Sequence, residues 1–343
     1  MSIDHAQRVP VGRTGLELTR LAFGGASIGG LFARVDDEDA IATATHAWSL
    51  GVRYFDTAPL YGYGASERRI GRALEDRPRD DFVLSTKVGR LVRETATIPQ
   101  GADIDRQVLD GREDAYYVVD EPVRMVFDYS ADGVRRSIEE SLLRLRLDRI
   151  DIALIHDPDD HWREAIDGAW PALERLRAEG VIAAVGAGMN QSAMLTRFVR
   201  ETSMDVVLVA GRYTLLDQSA LGDLLPACLE HRVAVLVGGV MNSGVLADPG
   251  PGARFDYAPA SPQVIDRARR IGEACARHGV PLRAAAMQFA MAHPAVLSLV
   301  AGVRSIAHLD EYPALLRQPI PAGLWDDLRT QRLIDPGAPV PAP

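Results

Sequence analysis

Short apolar runs alternate along the chain with longer stretches in which apolar residues recur at helical spacing. Eight apolar runs predict buried strands, at 21–23, 53–56, 82–87, 150–156, 182–188, 205–211, 233–239 and 297–302. Amphipathic stretches between them predict helices, as at 37–51, 130–147, 162–180 and 262–279. Several of these stretches open with Asp, Ser or Pro and close with Gly. The alternation is typical of a parallel α/β architecture.

Eight βα units in one chain predict a (β/α)8 TIM barrel, preceded by a β-hairpin at 8–18. A doubly wound sheet gives the same alternation. A Rossmann unit, however, would show G-x-G-x-x-G after its first strand, and FGGASIGG at 23–30 spaces its glycines differently. The pattern therefore favours a single barrel domain over 1–343.

Two segments depart from this rhythm. Residues 90–129 form a long polar and aromatic insertion after the third predicted strand. Loops of this length in compact domains are usually functional or disordered, and this one would lie over the barrel mouth as a lid or substrate wall. The Pro-rich end at 335–343 predicts a flexible, solvated tail.

Composition narrows the class of protein. The formal net charge of −9 disfavours binding to nucleic acid or to an anionic membrane surface. The sequence contains no apolar span of about 18 residues and no signal-like N-terminus, so we expect a cytoplasmic protein without a membrane span. Cys228 and Cys275 lack metal-ligand spacing, which predicts two structural cysteines and no metal site. A homo-oligomer is compatible with the sequence, which singles out no interface.

Polar residues end three neighbouring predicted strands. Asp56, Lys87 and His156 each follow an apolar run, and Tyr61 lies five residues after Asp56. Any one of them alone would more often be a cap or a salt-bridge partner. Together they are informative, because functional groups of a TIM barrel come from the C-terminal ends of its strands. Lysine is also rarely buried, so Lys87 requires a partner such as Asp56.

These four side chains outline a hydride-transfer site. A phenol is a poor base at neutral pH, and we expect the Lys87 ammonium to lower the pKa of Tyr61. Asp56 would hold the ammonium in place, and His156 would bind the oxygen of a substrate alcohol or carbonyl. Since protein side chains do not accept hydride, such a site requires a nicotinamide cofactor.

Three segments resemble the catalytic signatures of the aldo-keto reductase superfamily: FDTAPLYGYGASE at 55–67, STKVGR at 85–90 and LIHDPD at 154–159. The resemblance extends over nearly the whole chain. It implies a (β/α)8 barrel that binds NAD(P)(H) without a Rossmann motif, with a catalytic tetrad of Asp56, Tyr61, Lys87 and His156. Segments such as GGVMNSGVL at 238–246 are similar to the bacterial branch of L-fucose or D-threo-aldose 1-dehydrogenases and pyridoxal 4-dehydrogenase.

The resemblance also implies cofactor positions. Asn190 matches the residue that binds the nicotinamide carboxamide; the alternative is that it caps the N-terminus of the following helix. Tyr213 matches the aromatic residue that stacks on the nicotinamide ring; the alternative is that it belongs to the hydrophobic core. Small residues in the loop after strand seven would let backbone amides approach the pyrophosphate. The positions in this loop are Gly239, Val240, Met241, Asn242, Ser243 and Gly244. The adenosine-side positions are Gly302, Arg304, His308 and Glu311.

Two departures from the superfamily pattern bear on the cofactor. Ala210 stands where members carry a carboxamide-binding glutamine. Around the 2′-phosphate of NADP, where members often carry Lys-Ser and a later Arg, this chain has Gly302, Val303 and His308, with Arg304 nearby. Fewer cations for a phosphate dianion favour NAD over NADP.

The favoured function is an NAD(P)-dependent oxidoreductase acting on an alcohol, lactol or aldehyde carbon, above all an aldose 1-dehydrogenase that forms a lactone. The alternatives are a pyridoxal 4-dehydrogenase, a general aldehyde reductase, a Schiff-base lyase using Lys87, and a cofactor-binding regulatory subunit. Candidate substrate walls are Phe32, Tyr63 and Trp162, for which helix and loop packing is the alternative.

Overall fold

Eight parallel strands close into a barrel in the computed structural model, which describes residues 3–106, 108–109, 112–113 and 116–342. Each strand pairs with the next, and the eighth pairs with the first, so that Leu299 lies opposite Leu21. The predicted TIM barrel and its eight predicted strands are confirmed. In chain order, barrel strands one to eight are Leu21–Gly24, Tyr54–Asp56, Val83–Val88, Ile152–His156, Ala184–Met189, Val206–Ala210, Ala234–Gly238 and Val296–Gly302.

Helices surround the barrel, and the side chains of Ser130, Ser261 and Ser305 cap three of them. Ser130 Oγ accepts a hydrogen bond from the Gly133 amide at 3.0 Å, and Ser261 Oγ accepts one from the Val264 amide at 3.3 Å. The helices are Asp37–Ser49, Ala65–Leu74, Ala131–Leu145, Trp162–Glu164, Trp170–Ala178, Ser192–Glu201, Leu224–His231, Pro262–Arg277, Leu282–Ala290, Ile306–Arg317 and Ala322–Thr330. A π-helical turn, Ala165–Ala169, joins the fourth of these helices to the fifth.

Side chains along each barrel strand alternate between the interior and the surrounding helices. In strand four, Leu154 packs with the interior residues of the other strands, whereas Ile155 packs in the outer cluster with the helices. His156 continues the inward set. Asp56 and Lys87 end strands two and three in the same inward phase, because Tyr54 and Val83 both belong to the interior cluster.

The predicted N-terminal hairpin closes one end of the barrel. Strand Arg8–Pro10 pairs antiparallel with Glu17–Thr19. Val11 and Leu18 are fully buried in the same cluster as the interior barrel residues. The functional residues lie at the opposite end, where the strands end.

The insertion after strand three begins and ends in a two-stranded ribbon. Arg90–Glu94 pairs antiparallel with Val123–Phe127 over five residues. Tyr117 forms a β-bridge to Leu31, which ties the insertion to the loop after strand one. The short strands Val108–Leu109 and Arg112–Glu113 also pair, and residues 107, 110–111 and 114–115 lie outside the described residues.

The C-terminal segment differs from the predicted flexible tail. Ala338 is fully buried, and its carbonyl accepts a hydrogen bond from Arg329 at 2.9 Å. The Asp335 amide donates to the side chain of Gln218 at 3.2 Å. Residues 335–338 are therefore packed against the barrel, because the proline-rich sequence still supplies polar and apolar anchors.

Within the described part of the chain, no helix has the length and apolar content needed to cross a membrane, and no cluster of side chains is suited to hold a metal ion. Cys228 and Cys275 are buried free thiols. Burial raises the pKa of both thiols to about 12. A thiol that stays protonated at neutral pH is a weak nucleophile, which agrees with a structural role.

Candidate active site

The ammonium of Lys87 is fully hydrogen-bonded inside the barrel mouth. Its Nζ donates to Asp56 Oδ1 at 3.0 Å, to Asp56 Oδ2 at 2.8 Å and to the Thr57 carbonyl at 2.9 Å. The Lys87 and Asp56 side chains are 1% and 3% exposed. Three acceptors therefore match the three donors of an ammonium, and the buried Lys87 has the carboxylate partner that it requires.

Tyr61 and His156 lie beside this ion pair. Lys87 Nζ is 4.6 Å from the centre of the Tyr61 ring. The Tyr61 and His156 rings meet edge to face, with centroids 5.8 Å apart. The structure thus brings together Asp56, Tyr61, Lys87 and His156, the four residues that the sequence singled out.

A close contact between two loops positions Tyr61. Gly62 has φ +63°, and a Cβ there would lie 2.1 Å from the Gly29 carbonyl oxygen. A Cβ on Gly29 would in turn lie 2.7 Å from the Tyr61 carbonyl carbon. Only glycine permits this approach of two backbones, and the approach fixes the Tyr61 loop against the loop after strand one.

Glu67, at the end of the same sequence motif, stabilises the packing of the elements that support the site. Its side chain is fully buried, accepts a hydrogen bond from Arg144 Nε at 2.6 Å and accepts another from Thr86 Oγ1 at 2.7 Å. These contacts tie helix Ala65–Leu74 to helix Ala131–Leu145 and to strand three. The buried carboxylate of Glu67 therefore has a structural role.

The electrostatics of the site keep Tyr61 and His156 neutral. Burial and the Asp56 carboxylate raise the pKa of Tyr61 well above its usual value. This is opposite to the expected lowering by Lys87, because desolvation of the phenolate dominates. Burial, Arg90 and Lys87 hold the pKa of His156 well below its usual value. At neutral pH the site presents a phenol and a neutral imidazole.

A chamber of about 150 Å³ encloses the reactive groups. Its walls include Tyr61, Lys87, His156, Asp157, Tyr117 and Tyr257. It is large enough for a small, single-ring molecule. The chamber and a larger cleft share Tyr61 and Asn190 as wall residues.

The larger cleft has a volume of about 480 Å³ and runs from Tyr61 towards the end of strand eight. The predicted residues that line it are Asn190, Gly239, Val240, Met241, Asn242, Ser243, Gly244, Gly302, Arg304, His308 and Phe32. Most of the residues assigned to the cofactor by resemblance therefore share one cleft, next to the small chamber.

The loop after strand seven makes a tight turn along this cleft. Asn242, Ser243 and Gly244 have consecutive positive φ angles of 44°, 56° and 106°. The Asn242 amide donates to the Gly239 carbonyl at 2.8 Å and the Gly244 amide to the Met241 carbonyl at 3.0 Å, so both are bonded within the loop. Asn242 Oδ1 is buried without a hydrogen-bond partner among the residues that the structure describes, and as an acceptor it suits a donor on a ligand. The small residues of the loop leave room beside the backbone for the pyrophosphate of a dinucleotide.

Two arginines lie at the far end of the cleft. Arg304 donates to the Leu31 carbonyl, and Arg283, which the sequence did not indicate, is paired with Glu311. Glu311 is half exposed and binds Arg283 instead of forming part of the cleft wall. One of the two positive charges in this part of the cleft is therefore already neutralised.

Tyr213 and Trp162 line neither the cleft nor the chamber. The Tyr213 ring is 1% exposed and stacks on Phe289 at a centroid distance of 5.3 Å. Trp162 packs on Phe198 at 4.6 Å and under the Arg197 guanidinium at 3.7 Å. In this structure both side chains have the position that the packing alternative describes, and their contacts with a cofactor or substrate stay predictions.

The other two candidate substrate residues have different positions. Phe32 lines the cleft, with φ +63°. Tyr63 is 4% exposed and packs edge to face on Tyr117, with centroids 6.5 Å apart. Tyr63 supports the inner side of the insertion and does not line the chamber.

Three aromatic side chains, Phe32, Tyr116 and Tyr257, pack together at the site, and sequence reasoning did not identify Tyr257. Tyr257, from the loop after strand seven, lies 5.5 Å from Tyr116 of the insertion and 6.0 Å from Phe32, measured between ring centroids. Tyr257 and Asn190 both line the chamber and the cleft. The three aromatic residues come from three separate loops, and sequence reasoning singled out Phe32 and the insertion but not Tyr257.

Comparison with known proteins agrees with this geometry. The sequence profile of the Aldo/keto reductase family matches residues 20–329. The chain is 44% identical to a D-threo-aldose 1-dehydrogenase from a Pseudomonas species, over 93% of this chain and 96% of the relative. It is 38% identical to a pyridoxal 4-dehydrogenase from Microbacterium luteolum, over 97% of this chain and 100% of the relative.

A solved structure supports the fold. The holo form of an aldo-keto reductase from Bacillus halodurans superposes with a TM-score of 0.71 at 24% identity, covering 96% of each chain. At that identity, the likeness bears on the architecture alone. The profile match and the two relatives carry the assignment: this chain belongs to the aldo/keto reductase family and is an NAD(P)-dependent oxidoreductase.

Proposed function

We propose that the enzyme is an aldose 1-dehydrogenase, which oxidises the C1 hydroxyl of a cyclic sugar to a lactone. The observation that carries this proposal is the position of Tyr61, whose side chain forms part of both the 150 Å³ chamber and the 480 Å³ cleft. A small sugar in the chamber would meet a cofactor in the cleft at this point. The 44% identity to a D-threo-aldose 1-dehydrogenase supports the same substrate class.

In this proposal, Tyr61 exchanges the proton of the reacting hydroxyl. During oxidation the C1 hydrogen leaves as hydride, the O–H proton passes to the Tyr61 oxygen, and C1 becomes the lactone carbonyl. A bound nicotinamide would supply the hydride acceptor, and the positive charge of its oxidised ring would favour the phenolate form of Tyr61 that takes up the proton. In the reverse direction, the raised pKa of Tyr61 suits a proton donor.

The other three residues would prepare Tyr61 and the substrate. Lys87 places a fixed positive charge 4.6 Å from the Tyr61 ring, and Asp56 keeps that charge in place. His156, neutral at pH 7, would hydrogen-bond the substrate oxygen and align it with Tyr61. This division of roles needs the ammonium as an electrostatic group and not as a nucleophile.

Three groups of residues in the cleft would each bind a different portion of the dinucleotide cofactor. Asn190, which lines the cleft beside the chamber, would bind the nicotinamide carboxamide. The small residues of the loop at 239–244 would lie against the pyrophosphate, and Gly302, Arg304 and His308 would contact the adenosine. We propose NAD as the preferred cofactor, because the Arg283 charge is satisfied by Glu311 and the carboxylate would repel a 2′-phosphate.

The insertion would act as a wall or lid over the substrate. Tyr116 and Tyr117 face the chamber from this segment. Arg90, its first residue, donates to the His156 carbonyl at 2.8 Å, and Tyr129 donates to the same carbonyl at 2.7 Å. Movement of the insertion would therefore be transmitted to His156.

Pyridoxal is the second candidate substrate. The 38% identity to a pyridoxal 4-dehydrogenase and the aromatic walls of the chamber favour it, since a pyridine ring would stack on tyrosine. The Schiff-base lyase is disfavoured, because all three donors of Lys87 are bound and a nucleophilic amine must be neutral. A purely regulatory role does not explain the complete tetrad.

A substrate panel tests the proposal. The purified enzyme is assayed with NAD and with NADP against L-fucose, pyridoxal and benzaldehyde, and the sugar product is identified by mass spectrometry as lactone. We expect L-fucose to be oxidised with NAD, and methyl α-L-fucoside, which has no free C1 hydroxyl, to be inert. Oxidation of pyridoxal with no activity on any aldose would instead establish the second candidate.

A further inference from the structure

Asp157, the residue after His156, adopts a conformation that few side chains adopt. Its φ is +36°, while its amide donates to the Gly188 carbonyl at 3.0 Å. A non-glycine residue with positive φ is conformationally unfavourable and persists where its surroundings fix it. Such residues concentrate at functional sites. In this chain the conformation accompanies a carboxylate that faces the reactive chamber.

The Asp157 carboxylate lacks a well-aligned partner. Its Oδ2 lies 3.4 Å from His156 Nε2 and 3.8 Å from Arg90 Nη1. Arg90 directs its donors elsewhere, to Asp105 Oδ2 at 2.7 Å and to the His156 carbonyl at 2.8 Å. Among the described residues, none donates a hydrogen bond of good geometry to this carboxylate. A mostly buried carboxylate with unfilled acceptor sites favours a ligand that brings donors.

The surroundings of Asp157 define what that ligand would be. The side chain is 19% exposed, and it lines the chamber that also contains Tyr61, Lys87 and His156. Tyr117 and Tyr257 supply apolar ring surfaces in the same chamber. A sugar ring presents hydroxyl donors at its edge and C–H groups on its faces, and it therefore matches one carboxylate between aromatic rings. Pyridoxal and simple aldehydes present fewer donors.

We infer that Asp157 determines substrate specificity by accepting hydrogen bonds from hydroxyl groups of the sugar ring adjacent to C1. This inference rests on the proposed function and extends it from one reacting carbon to the rest of the substrate. Asp157 thereby selects a polyhydroxylated ring over an aldehyde of similar size. The competing explanation is that Asp157 acts only through His156, by orienting its imidazole.

The test compares Asp157→Asn with Asp159→Asn, a matched control that makes the same change two residues away at an exposed position. Calorimetry measures the Kd of L-fucose for the enzyme loaded with NADH, and the Kd of NADH itself. Steady-state assays measure L-fucose oxidation and benzaldehyde reduction. We expect D157N to raise the Kd and KM of L-fucose by about tenfold or more, because a charged acceptor is lost.

The same variant should leave benzaldehyde kcat/KM and the NADH Kd within about threefold of the wild-type values, and D159N should resemble the wild type. Unchanged L-fucose binding in D157N would overturn the inference, as would an equal loss of kcat on both substrates with unchanged L-fucose Kd. If D157N loses NADH binding, Asp157→Ser provides the same comparison. A wild-type enzyme that neither binds nor oxidises any aldose would refute the proposed function itself, which is a distinct outcome.

Discussion

Lys87 Nζ donates to both carboxylate oxygens of Asp56, at 3.0 and 2.8 Å, and the two side chains are almost completely enclosed by protein. A buried pair of this kind is costly to break, because removal of one partner leaves the other charge desolvated and unpaired. Removal of both charges avoids this penalty. The stability of the barrel and the chemistry at its mouth therefore depend on the same ion pair.

The first prediction concerns this pair. Asp56→Asn and Lys87→Met should each lower the free energy of unfolding by about 3 kcal/mol, and the double variant should be more stable than the sum of the two losses predicts. Urea unfolding followed by circular dichroism measures all three variants. Strictly additive losses would show that the two groups do not interact in the folded protein.

The second prediction separates structure from chemistry within one motif. Glu67→Gln should destabilise the protein by about 2 to 3 kcal/mol, because the Arg144 guanidinium then loses its buried carboxylate partner. Activity at 20 °C should stay within about threefold of wild type, since Glu67 does not line the chamber. The control is Asp120→Asn, which breaks the exposed pair with Arg34 and should leave the free energy of unfolding close to the wild-type value. A large loss of kcat without loss of stability would assign Glu67 to the chemistry instead.

Much of the fold was predictable because short segments of the sequence, by their apolar runs and their alternation of side chains, indicate the barrel strands. Each barrel strand is a short apolar run, and the inward phase of Leu154 in strand four extends directly to His156. The same phase argument places Asp56 and Lys87 at the mouth. A residue at the end of a buried strand has little freedom, so its position in the sequence determines its position in the site.

The residues whose surroundings were not predictable from the sequence lie in loops or just beyond a strand. Tyr213 follows strand six, and its large apolar ring is better buried against Phe289 than exposed in the cleft. Tyr257 and Tyr116 meet above the chamber although 141 positions separate residues 116 and 257 in the chain. Their contact depends on the course of two long loops, and no local periodicity encodes that course.

The third prediction concerns cofactor choice. Glu311→Gln would release the Arg283 guanidinium at the far end of the cleft and remove a negative charge near the expected phosphate position. We expect kcat/KM with NADP to rise by about fivefold or more, while the value with NAD stays within about twofold. Asp310→Asn is the matched control, because Asp310 is paired with His46 instead. No gain with NADP would mean that Arg283 does not reach the 2′-phosphate.

The fourth prediction is a pH dependence of stability. Burial raises the pKa of Asp157 to about 6, although Arg90 and Lys87 oppose the shift and Asp159 and Asp105 reinforce it. In the unfolded chain this carboxyl loses its proton near pH 3.8, whereas in the folded protein it keeps the proton up to about pH 6. Between these two pH values the folded state binds more protons than the unfolded state, so the free energy of unfolding falls as the pH rises. Above pH 6 this loss of stability is fully present, at about 3 kcal/mol.

Asp157→Asn should accordingly raise the melting temperature at pH 8 and leave it nearly unchanged at pH 4, where the native carboxyl is already protonated. Differential scanning calorimetry at both pH values measures the difference, with Asp160→Asn, a change at an exposed position, as the control. Equal effects at pH 4 and pH 8 would contradict the assignment of a raised pKa. A specificity residue that costs stability is the expected pattern for a functional group held in a strained conformation.

The central claim is that Tyr61 transfers the proton at the point where the chamber meets the cleft. The most direct measurement is the turnover of Tyr61→Phe with L-fucose and NAD, together with its Kd for NADH. Tyr63→Phe, two residues away and buried outside the chamber, is the control. We predict that Tyr61→Phe lowers kcat by about 10³-fold with NADH affinity within about twofold, and that Tyr63→Phe stays close to wild type. A Tyr61→Phe enzyme with near-normal kcat would contradict the account.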